Sequence, residues 1–336
     1  MKNLLFLICI ITFWACSSVS EGEPEPEPEP IPEEPKEYIV SLGLTGEIDI
    51  EESPLSKASG NDLYGIQVYS KTSTNEYTPY AYGLFDDKSK MTIKLLEGYS
   101  YKFQVTMVVD GKNKIYYYNG GYYEPFILLG VNKSLELTNL LSLDNKIYLS
   151  YIDKGSTWVV AGTSNFESCE VAPIERYYGE IENYNPTENG SISINMKRVS
   201  FGIKFIAEGL TEGKLKINIK EAPELNIPYG QTEIQDIFTF KNTYPNGLTW
   251  TKDDYSETIP VSISWEKVDG AVVPLINKDI TFKRNVLTTI TIKVKDTSMN
   301  NNIDISQESG EMTQGENITI ESGSGLDGNV KPVENQ

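Results

Sequence analysis

Apolar and polar residues alternate with a period of two along much of this chain. The clearest run places apolar side chains at Tyr99, Tyr101, Phe103, Val105, Met107 and Val109. Polar residues occupy most of the positions between them, and Val108 is the exception. This spacing predicts an antiparallel strand with one buried face. The same pattern predicts further strands over residues 63–70, 91–96 and 147–152.

The second half of the chain shows the same alternation. Its apolar positions are Leu215, Ile217 and Ile219, then Val261, Ile263 and Trp265, and then Ile290, Ile292 and Val294. No segment sustains a helical period of about 3.6 residues over some ten positions. Many short strands separated by Gly, Asn and Pro predict an all-β fold, which we expect to form two tandem antiparallel β-sandwich domains.

Two local patterns carry specific predictions. Asp110-Gly111 is a hairpin turn signal, so the strand before it is expected to pair with a returning strand over residues 114–118. Between residues 191 and 206 the apolar positions change from even to odd numbers. A β-bulge near Lys197–Arg198 would produce this change, and a break between two strands is the alternative.

Composition divides the chain into four segments. We expect a signal peptide over residues 1–15, a lipidated cysteine and tether over 16–37, an N-terminal β-sandwich over 38–170 and a C-terminal β-sandwich with a loose tail over 171–336. The seam between the sandwiches is placed in the polar segment 166–189, where Pro and Gly interrupt the alternation. Each half is long enough to bury a core of its own.

The N-terminus has the pattern of an export signal. Lys2 precedes a short apolar run over residues 4–11, and small Ala15 comes directly before Cys16. The run Phe13-Trp14-Ala15-Cys16 resembles a bacterial lipobox, which implies transfer of diacylglycerol to the Cys16 thiol and cleavage before it. An ordinary signal peptide with an incidental cysteine is the alternative. Lipid at Cys16 would hold the protein on a membrane.

Glu and Pro alternate after the leader. Residues 21–37 read EGEPEPEPEPIPEEPKE, a composition that favours extended polyproline II geometry. At ~3.1 Å per residue this segment would span roughly 50 Å and act as a spacer. Cleavage before Cys16 and acylation of its thiol leave Cys169 as the remaining thiol, which we expect to be buried.

Charge and histidine content limit the chemistry. The chain has 29 basic and 48 acidic side chains, a net charge of −19 and no histidine. This charge argues against nucleic acid as a partner, and the lack of histidine removes the usual general base and the usual zinc ligand. Asp86-Asp87 and Asp253-Asp254 lack the spacing of a calcium loop, so we interpret them as solvated turns. We therefore expect no catalytic residue, no metal and no cofactor, and a hydrolase is the least favoured class of function.

The leader, the acidic tether, two strand-rich halves and residues 191–219 together resemble fimbrillin-like lipoproteins of Bacteroidetes. In that family a strand with a hydrophobic-Lys/Arg-Val pattern opens a transthyretin-like sandwich, and Met196, Lys197, Arg198 and Val199 stand at this pattern. The resemblance implies a non-enzymatic lipoprotein of the outer membrane, exposed at the cell surface. Its role would be structural or adhesive, as a pilus anchor, tip or accessory subunit, with other pilus subunits or surface ligands of host or bacterium as partners.

Two features bear on assembly in this family. Polymerising members are thought to be cut by an Arg-specific protease, but no arginine precedes Arg176, and only a lysine such as Lys57 is offered in the N-terminal region. This favours an anchor or tip over a polymerising subunit. The extended segment Asn317, Ile318, Thr319 and Ile320 is a candidate donor strand for a neighbouring subunit. Pairing within its own domain is the alternative.

Tyrosines concentrate around a Gly-Gly pair. Tyr116, Tyr118, Tyr122 and Tyr123 form a candidate binding surface, because aromatic faces bury large areas at low entropic cost when they meet a glycan or a protein. Packing of these rings on their own sheet is the alternative. The surface gives the chain a second candidate function, a glycan-binding surface lipoprotein of a polysaccharide uptake system.

Overall fold

The computed structural model describes residues 35–49, 60–73, 75–150, 152–153, 158–159, 168–241, 247–294, 304–311, 314–321 and 331–332. The signal peptide, Cys16 and the tether as far as residue 34 lie outside the described residues. The described residues from Pro35 onward belong to one compact unit. No helix in this part of the chain is long and apolar enough to cross a membrane.

Strands make up nearly all of the regular structure, which confirms the all-β prediction. The first half contains β1 (Glu37–Gly46), β2 (Leu63–Lys71), β3 (Thr78–Phe85), β4 (Thr92–Leu96), β5 (Ser100–Val108), β6 (Tyr117–Tyr118), β7 (Gly121–Leu129), β8 (Lys133–Leu135), β9 (Ser142–Leu143), β10 (Tyr148–Leu149), β11 (Trp158–Val159), β12 (Ser168–Cys169), β13 (Arg176–Tyr184) and β14 (Gly190–Arg198). The helical elements there are one turn each: α1 (Gly111–Lys114) and two 3-10 turns, Glu47–Asp49 and Lys88–Lys90.

The second half is built in the same way. It contains β15 (Ser200–Glu208), β16 (Lys214–Ile219), β17 (Leu225–Pro228), β18 (Glu233–Thr239), β19 (Ser256–Glu266), β20 (Val272–Lys283), β21 (Val286–Lys293), β22 (Asp304–Glu311), β23 (Gln314–Glu321) and β24 (Lys331–Pro332). One helical turn, α2 (Gly247–Trp250), precedes β19. Alternation therefore predicted the strands around Leu215, Val261 and Ile290 correctly.

An eight-stranded sheet organises the first half, with the order β4-β1-β14-β13-β5-β2-β3-β9. One of its faces carries a buried cluster that includes Ile66, Phe103 and Ile194, which come from three different strands. A smaller sheet of order β10-β7-β6, with β8 paired to β7, covers part of the other face. There Phe126 and Leu128 of β7 share a cluster with residues of β2, β3 and β5. Alternate residues of β2 thus point into two different cores.

The second half is a sandwich of two sheets. Their orders are β18-β15-β21-β22-β23-β24 and β17-β16-β19-β20. One buried cluster joins Phe201 and Ile290 of the first sheet to Leu215 and Val261 of the second. The side chains of both inner faces therefore form a single core, as in other β-sandwiches.

Two pairings in these sheets are parallel rather than antiparallel. β1 pairs with β14 and β15 pairs with β21. Parallel neighbours need a long connection, and in both cases several other strands lie between them in sequence. Alternation within one strand carries no information about the direction of its neighbour.

The hairpin predicted at Asp110-Gly111 is wrong. β5 lies in the interior of its sheet, with β2 on one side and β13 on the other, so a returning strand would find no edge to pair with. Instead, Asp110 has a φ of 52°, the chain turns into α1, and β6 pairs with β7 in the smaller sheet. Because both edges of β5 are already paired with other strands, the local turn signal does not produce a hairpin.

The β-bulge predicted near Lys197–Arg198 is also wrong, and the alternative of a break is confirmed. β14 ends at Arg198 in the eight-stranded sheet, and β15 begins at Ser200 in the six-stranded sheet. Val199 lies between them, and its backbone N–H donates to the carbonyl oxygen of Arg176. The change of parity marks the point where the chain leaves one sheet and enters the next.

Residue 170 does not mark the boundary between the sheets of the first half and those of the second. β13 and β14 follow that position in sequence but pair with β5 and β1 of the first half, and the second sandwich begins with β15. Val171, in contrast, packs in the core of the second sandwich. The division into domains at residues 170 and 171 stays a prediction. Cys169 is buried, as expected from its thiol.

All three arginines of the sequence are buried near this change of sheet. Arg176, Arg198 and Arg284 are 0%, 5% and 4% exposed, and we call them the arginine junction. The Arg198 guanidinium lies 2.8 Å from the Glu175 carboxylate and donates to the side-chain oxygen of Asn285 at 2.7 Å. A buried guanidinium is stable only when its donors are paired, so these contacts hold the elements together.

Arg284 connects the two halves most directly. Its guanidinium donates to the Glu47 carboxylate at 2.7 Å and to the carbonyl oxygen of Arg198 at 3.0 Å. Glu47 follows β1 of the first half, whereas Arg284 follows β20 of the second. Arg176 donates to the hydroxyl of Thr106 at 2.7 Å, and its guanidinium lies 4.9 Å from the centre of the Trp250 ring.

We predict that Glu47→Gln lowers the free energy of unfolding by about 3 kcal/mol, because it removes the less exposed of the two carboxylates that pair with the buried Arg284 guanidinium and leaves only Asp253, whose side chain is 85% exposed. Glu37→Gln is the matched control, since Glu37 pairs with Lys94 at the surface and its loss should cost less than about 1 kcal/mol. Urea unfolding of the two variants provides the comparison. Equal losses of unfolding free energy in the two variants would contradict the stabilising role of the arginine junction.

A fall in pH should weaken the ion pair between Glu47 and Arg284. Burial alone raises the pKa of the Glu47 carboxyl, but hydrogen bonds from Arg284 and from the backbone of Arg198 outweigh it and lower the pKa below the usual 4.5. The stabilisation is therefore complete above this value and is lost as pH falls through the lower pKa of the folded state. As pH falls below 4.5, the free energies of unfolding of wild type and Glu47→Gln, measured by urea unfolding at a series of pH values, should converge.

Candidate functional site

Two residues turn the chain between β6 and β7 and expose the tyrosines beside them. Tyr117 pairs with Tyr122 and Tyr118 pairs with Gly121, so Asn119 and Gly120 form the turn. Both have positive φ, 52° and 89°, as a type I′ turn requires. Asn-Gly is the strongest sequence signal for such a turn, and it lies one residue before the Gly120-Gly121 pair.

Three tyrosines share one face of this hairpin, and we call them the aromatic platform: Tyr116, Tyr118 and Tyr123. The rings of Tyr116 and Tyr118 are 6.3 Å apart between centres and only 7° from parallel. Tyr123 stands opposite Tyr116 across the strands, with the ring centres 5.2 Å apart. Tyr118 is 59% exposed, and the other two rings are half-buried. Two rings of the platform are therefore nearly parallel, and the third, Tyr123, is tilted by 59° from Tyr116.

Tyr122 lies on the opposite face of the hairpin. It is buried and belongs to the core between the smaller sheet and the eight-stranded sheet. Burial raises the pKa of its phenol above the usual value, as expected for a ring taken out of water. Its cross-strand partner Tyr117 is exposed, with the ring centres 4.9 Å apart. The structure therefore brings three of the four predicted tyrosines together, and their binding role stays a prediction.

The candidate donor segment Asn317, Ile318, Thr319 and Ile320 lies in β23. Its backbone pairs with β22 on one side, and Ile318 and Thr319 pair with β24 on the other. The segment thus occupies an interior position in the sheet of its own chain. Its role as a donor to another subunit stays a prediction.

Asp253 and Asp254 lie exposed in a turn, as predicted, and three of the four aspartates of the two pairs, Asp86, Asp87 and Asp253, also form ion pairs. Asp86 lies 2.6 Å from the Lys112 ammonium and accepts a hydrogen bond from the Asn139 amide. The hydrogen bond from Lys112, followed by that from Asn139, lowers the pKa of the Asp86 carboxyl. Asp253 contacts Arg284 of the arginine junction at 2.8 Å. Among the described residues, no group of three acidic or cysteine side chains is arranged to hold a metal ion.

No protein-family model matches this sequence, and no curated protein matches it. Solved structures with similarity include a proposed cell adhesion protein from Bacteroides eggerthii, at 12% identity over 82% of this chain and 96% of that one, with a TM-score of 0.36. The fimbrial anchor protein Mfa2 from Porphyromonas gingivalis is 8% identical over 82% of this chain and 98% of its own, also with a TM-score of 0.36.

A proposed polysaccharide-binding protein from Bacteroides thetaiotaomicron shows 10% identity over 80% of this chain and 95% of its own, again with a TM-score of 0.36. These descriptions fall within the class of Bacteroidetes surface and fimbrial proteins that the sequence resembles. At such identities and TM-scores the similarity carries no argument about this chain, so its function has to be argued from its own residues.

The two faces of the tyrosine hairpin should respond differently to truncation. We predict that Tyr122→Ala lowers the free energy of unfolding by about 3 kcal/mol, because it removes a buried ring from a packed core. Tyr118→Ala, its matched control on the exposed face, should leave the urea midpoint unchanged. A large loss of stability in Tyr118→Ala would show that the platform is part of the core.

Proposed function

We propose that this chain is a non-enzymatic cell-surface lipoprotein with a structural or adhesive role, as the anchor, the tip or an accessory subunit of a pilus. Lipid on Cys16 would anchor it in the outer membrane, and the Glu/Pro segment would hold the β-rich body away from the membrane. Other pilus subunits or surface ligands of host or bacterium would be its partners. No catalytic residue, cofactor or nucleic acid enters this proposal.

The observation that carries the proposal is the order of segments along the chain. A lipobox-type leader, an acidic spacer and a β-rich body follow one another, and each has a physical role in display at a surface. The arginine junction supports the same role, because buried ion pairs join β1 to the strands of the second sandwich. A rigid body transmits a pull from its binding surface to its anchor without unfolding first.

The arginines also favour an anchor, tip or accessory subunit over a subunit matured at arginine. The sequence has no arginine before Arg176, and the three it has are buried in the fold. An endoprotease needs several residues of extended, accessible backbone around the bond it cuts. The folded body therefore gives an arginine-specific protease no accessible arginine.

A second candidate function is glycan binding at the cell surface, as part of a polysaccharide uptake system. The nearly parallel rings of Tyr116 and Tyr118 favour it, because flat aromatic faces match the apolar faces of sugar rings. Under this alternative the lipid and the spacer keep their roles. Only the partner changes, from a protein to a saccharide.

The test is a strain whose chromosomal copy carries Cys16→Ala. We expect the protein to lose incorporation of labelled fatty acid, to leave the membrane fraction, and to reduce adherence or piliation of the cells to the level of a deletion strain. The reason is that the alanine removes the only thiol at the proposed cleavage site, and with it the anchor.

Cys9→Ala is the matched control, since it removes a cysteine of the same leader without touching the proposed lipid site. It should leave labelling, fractionation and adherence at the wild-type level. Normal labelling of Cys16→Ala would contradict the anchor. Normal adherence of cells that have lost the protein from their membranes would contradict the adhesive role.

A further inference from the structure

β4, at one end of the eight-stranded sheet, is contacted by β3, the second strand from the other end, and the two strands do not pair. The hydroxyl of Tyr80, in β3, donates to the carbonyl oxygen of Lys94, in β4, at 3.0 Å. The backbone N–H of Leu96, also in β4, donates to the hydroxyl of Tyr101 at 2.8 Å. Tyrosine hydroxyls thus pair with backbone groups of β4 that no strand pairs with here. Beside these contacts lies an open cleft of about 650 Å³, within the usual size of a small-ligand site.

Aromatic rings form one wall of the cleft. Tyr80 and Tyr99 line it, and both pack against the fully buried ring of Tyr101, with centres 5.2 Å and 6.4 Å away. The two lining rings are half-buried, so each keeps part of its surface open. Packing against Tyr101 holds these rings in place before any ligand arrives, which lowers the entropic cost of binding.

Leu143 at the end of β9 and the polar residues of the loop that follows it form another wall. The loop residues are Asp144, Asn145 and Lys146, and the side chains of Asn145 and Lys146 are exposed. The loop is fixed by Asp144, whose carboxylate accepts from the backbone N–H of Lys146 at 2.7 Å. The backbone N–H of Asp144 donates to the carbonyl oxygen of Tyr80 at 2.9 Å, which ties this wall to the aromatic one.

The hydrogen bonds along the cleft argue against an added peptide strand. Strand addition requires unpaired backbone groups in sequence along a sheet edge. Here Lys94 O and Leu96 N of β4 are already bonded to tyrosine hydroxyls, and Tyr80 O of β3 is bonded to Asp144 N. A ligand in the cleft meets aromatic faces and side-chain polar groups instead.

We propose that this cleft binds a neutral saccharide, with the pyranose ring on Tyr80 and Tyr99 and its hydroxyls against Asn145 and Lys146. A saccharide is the ligand that alternates apolar C–H faces with hydroxyl edges, as these two walls do. A neutral sugar fits better than an acidic one, because the charges of Asp144 and Lys146 in the wall offset each other and the chain as a whole carries a net charge of −19. The inference rests on the glycan-binding alternative of the proposed function and places it at a second surface, distinct from the aromatic platform.

The experiment applies the full-length chain, purified in detergent, to an array of printed neutral and acidic oligosaccharides. We expect binding to neutral oligosaccharides, reduced about tenfold or more in Tyr99→Ala, which removes a lining ring. Asn145→Ala, on the exposed loop, should weaken the same signals without affecting the fold, and Tyr99→Phe should retain them because the ring stays. Tyr229→Ala is the matched control, since this exposed tyrosine lies in the second sandwich.

Three results would contradict saccharide binding in the cleft. They are the absence of binding to any printed oligosaccharide, binding unchanged in both Tyr99→Ala and Asn145→Ala, and binding abolished by Tyr118→Ala alone, which would assign the site to the aromatic platform. The array uses purified protein and does not depend on anchoring or adherence. Normal adherence of cells lacking the protein would therefore contradict the adhesive role, but it would not contradict saccharide binding in the cleft.

Discussion

A buried guanidinium has to be paired, and this chain meets that requirement three times at the place where it passes from one set of sheets to the next. Arg284 reaches back across the chain to Glu47, Arg198 is held by Glu175, and Arg176 stacks on Trp250. The partners come from both halves, so neither half can move away without exposing or orphaning a buried charge. The proposed surface role depends on this joint, because an anchor or adhesin has to carry load between its ends.

Short turns hold the aromatic platform and the walls of the cleft on the rigid sheets. Asn119 and Gly120 set the hairpin that displays the aromatic platform, and the Asp144 carboxylate fixes the loop that faces Tyr80 across the cleft. Both surfaces carry tyrosine rings that are preset by packing. Rigid rings on a rigid frame are suited to holding a partner.

Alternation of side chains predicted the fold class and strands such as β5, β16, β19 and β21, because a half-buried strand has a local signature. It did not predict which strands are neighbours. The expected hairpin after β5 fails because both edges of that strand are occupied, and the parity change at Val199 marks a change of sheet. The platform was predicted as a tyrosine cluster, but the assignment of Tyr122 to the opposite face required the register of the turn. The arginine junction has no local signature, since Glu47 and Arg284 are 237 positions apart.

The most direct test of the arginine junction is digestion by an arginine-specific endoprotease under native conditions, with the fragments identified by mass spectrometry. If the arginine junction holds the halves together, the native chain stays uncut while the urea-unfolded chain is cut after Arg176, Arg198 and Arg284. Rapid cleavage of the native chain after Arg198, with release of the second sandwich, would contradict the account.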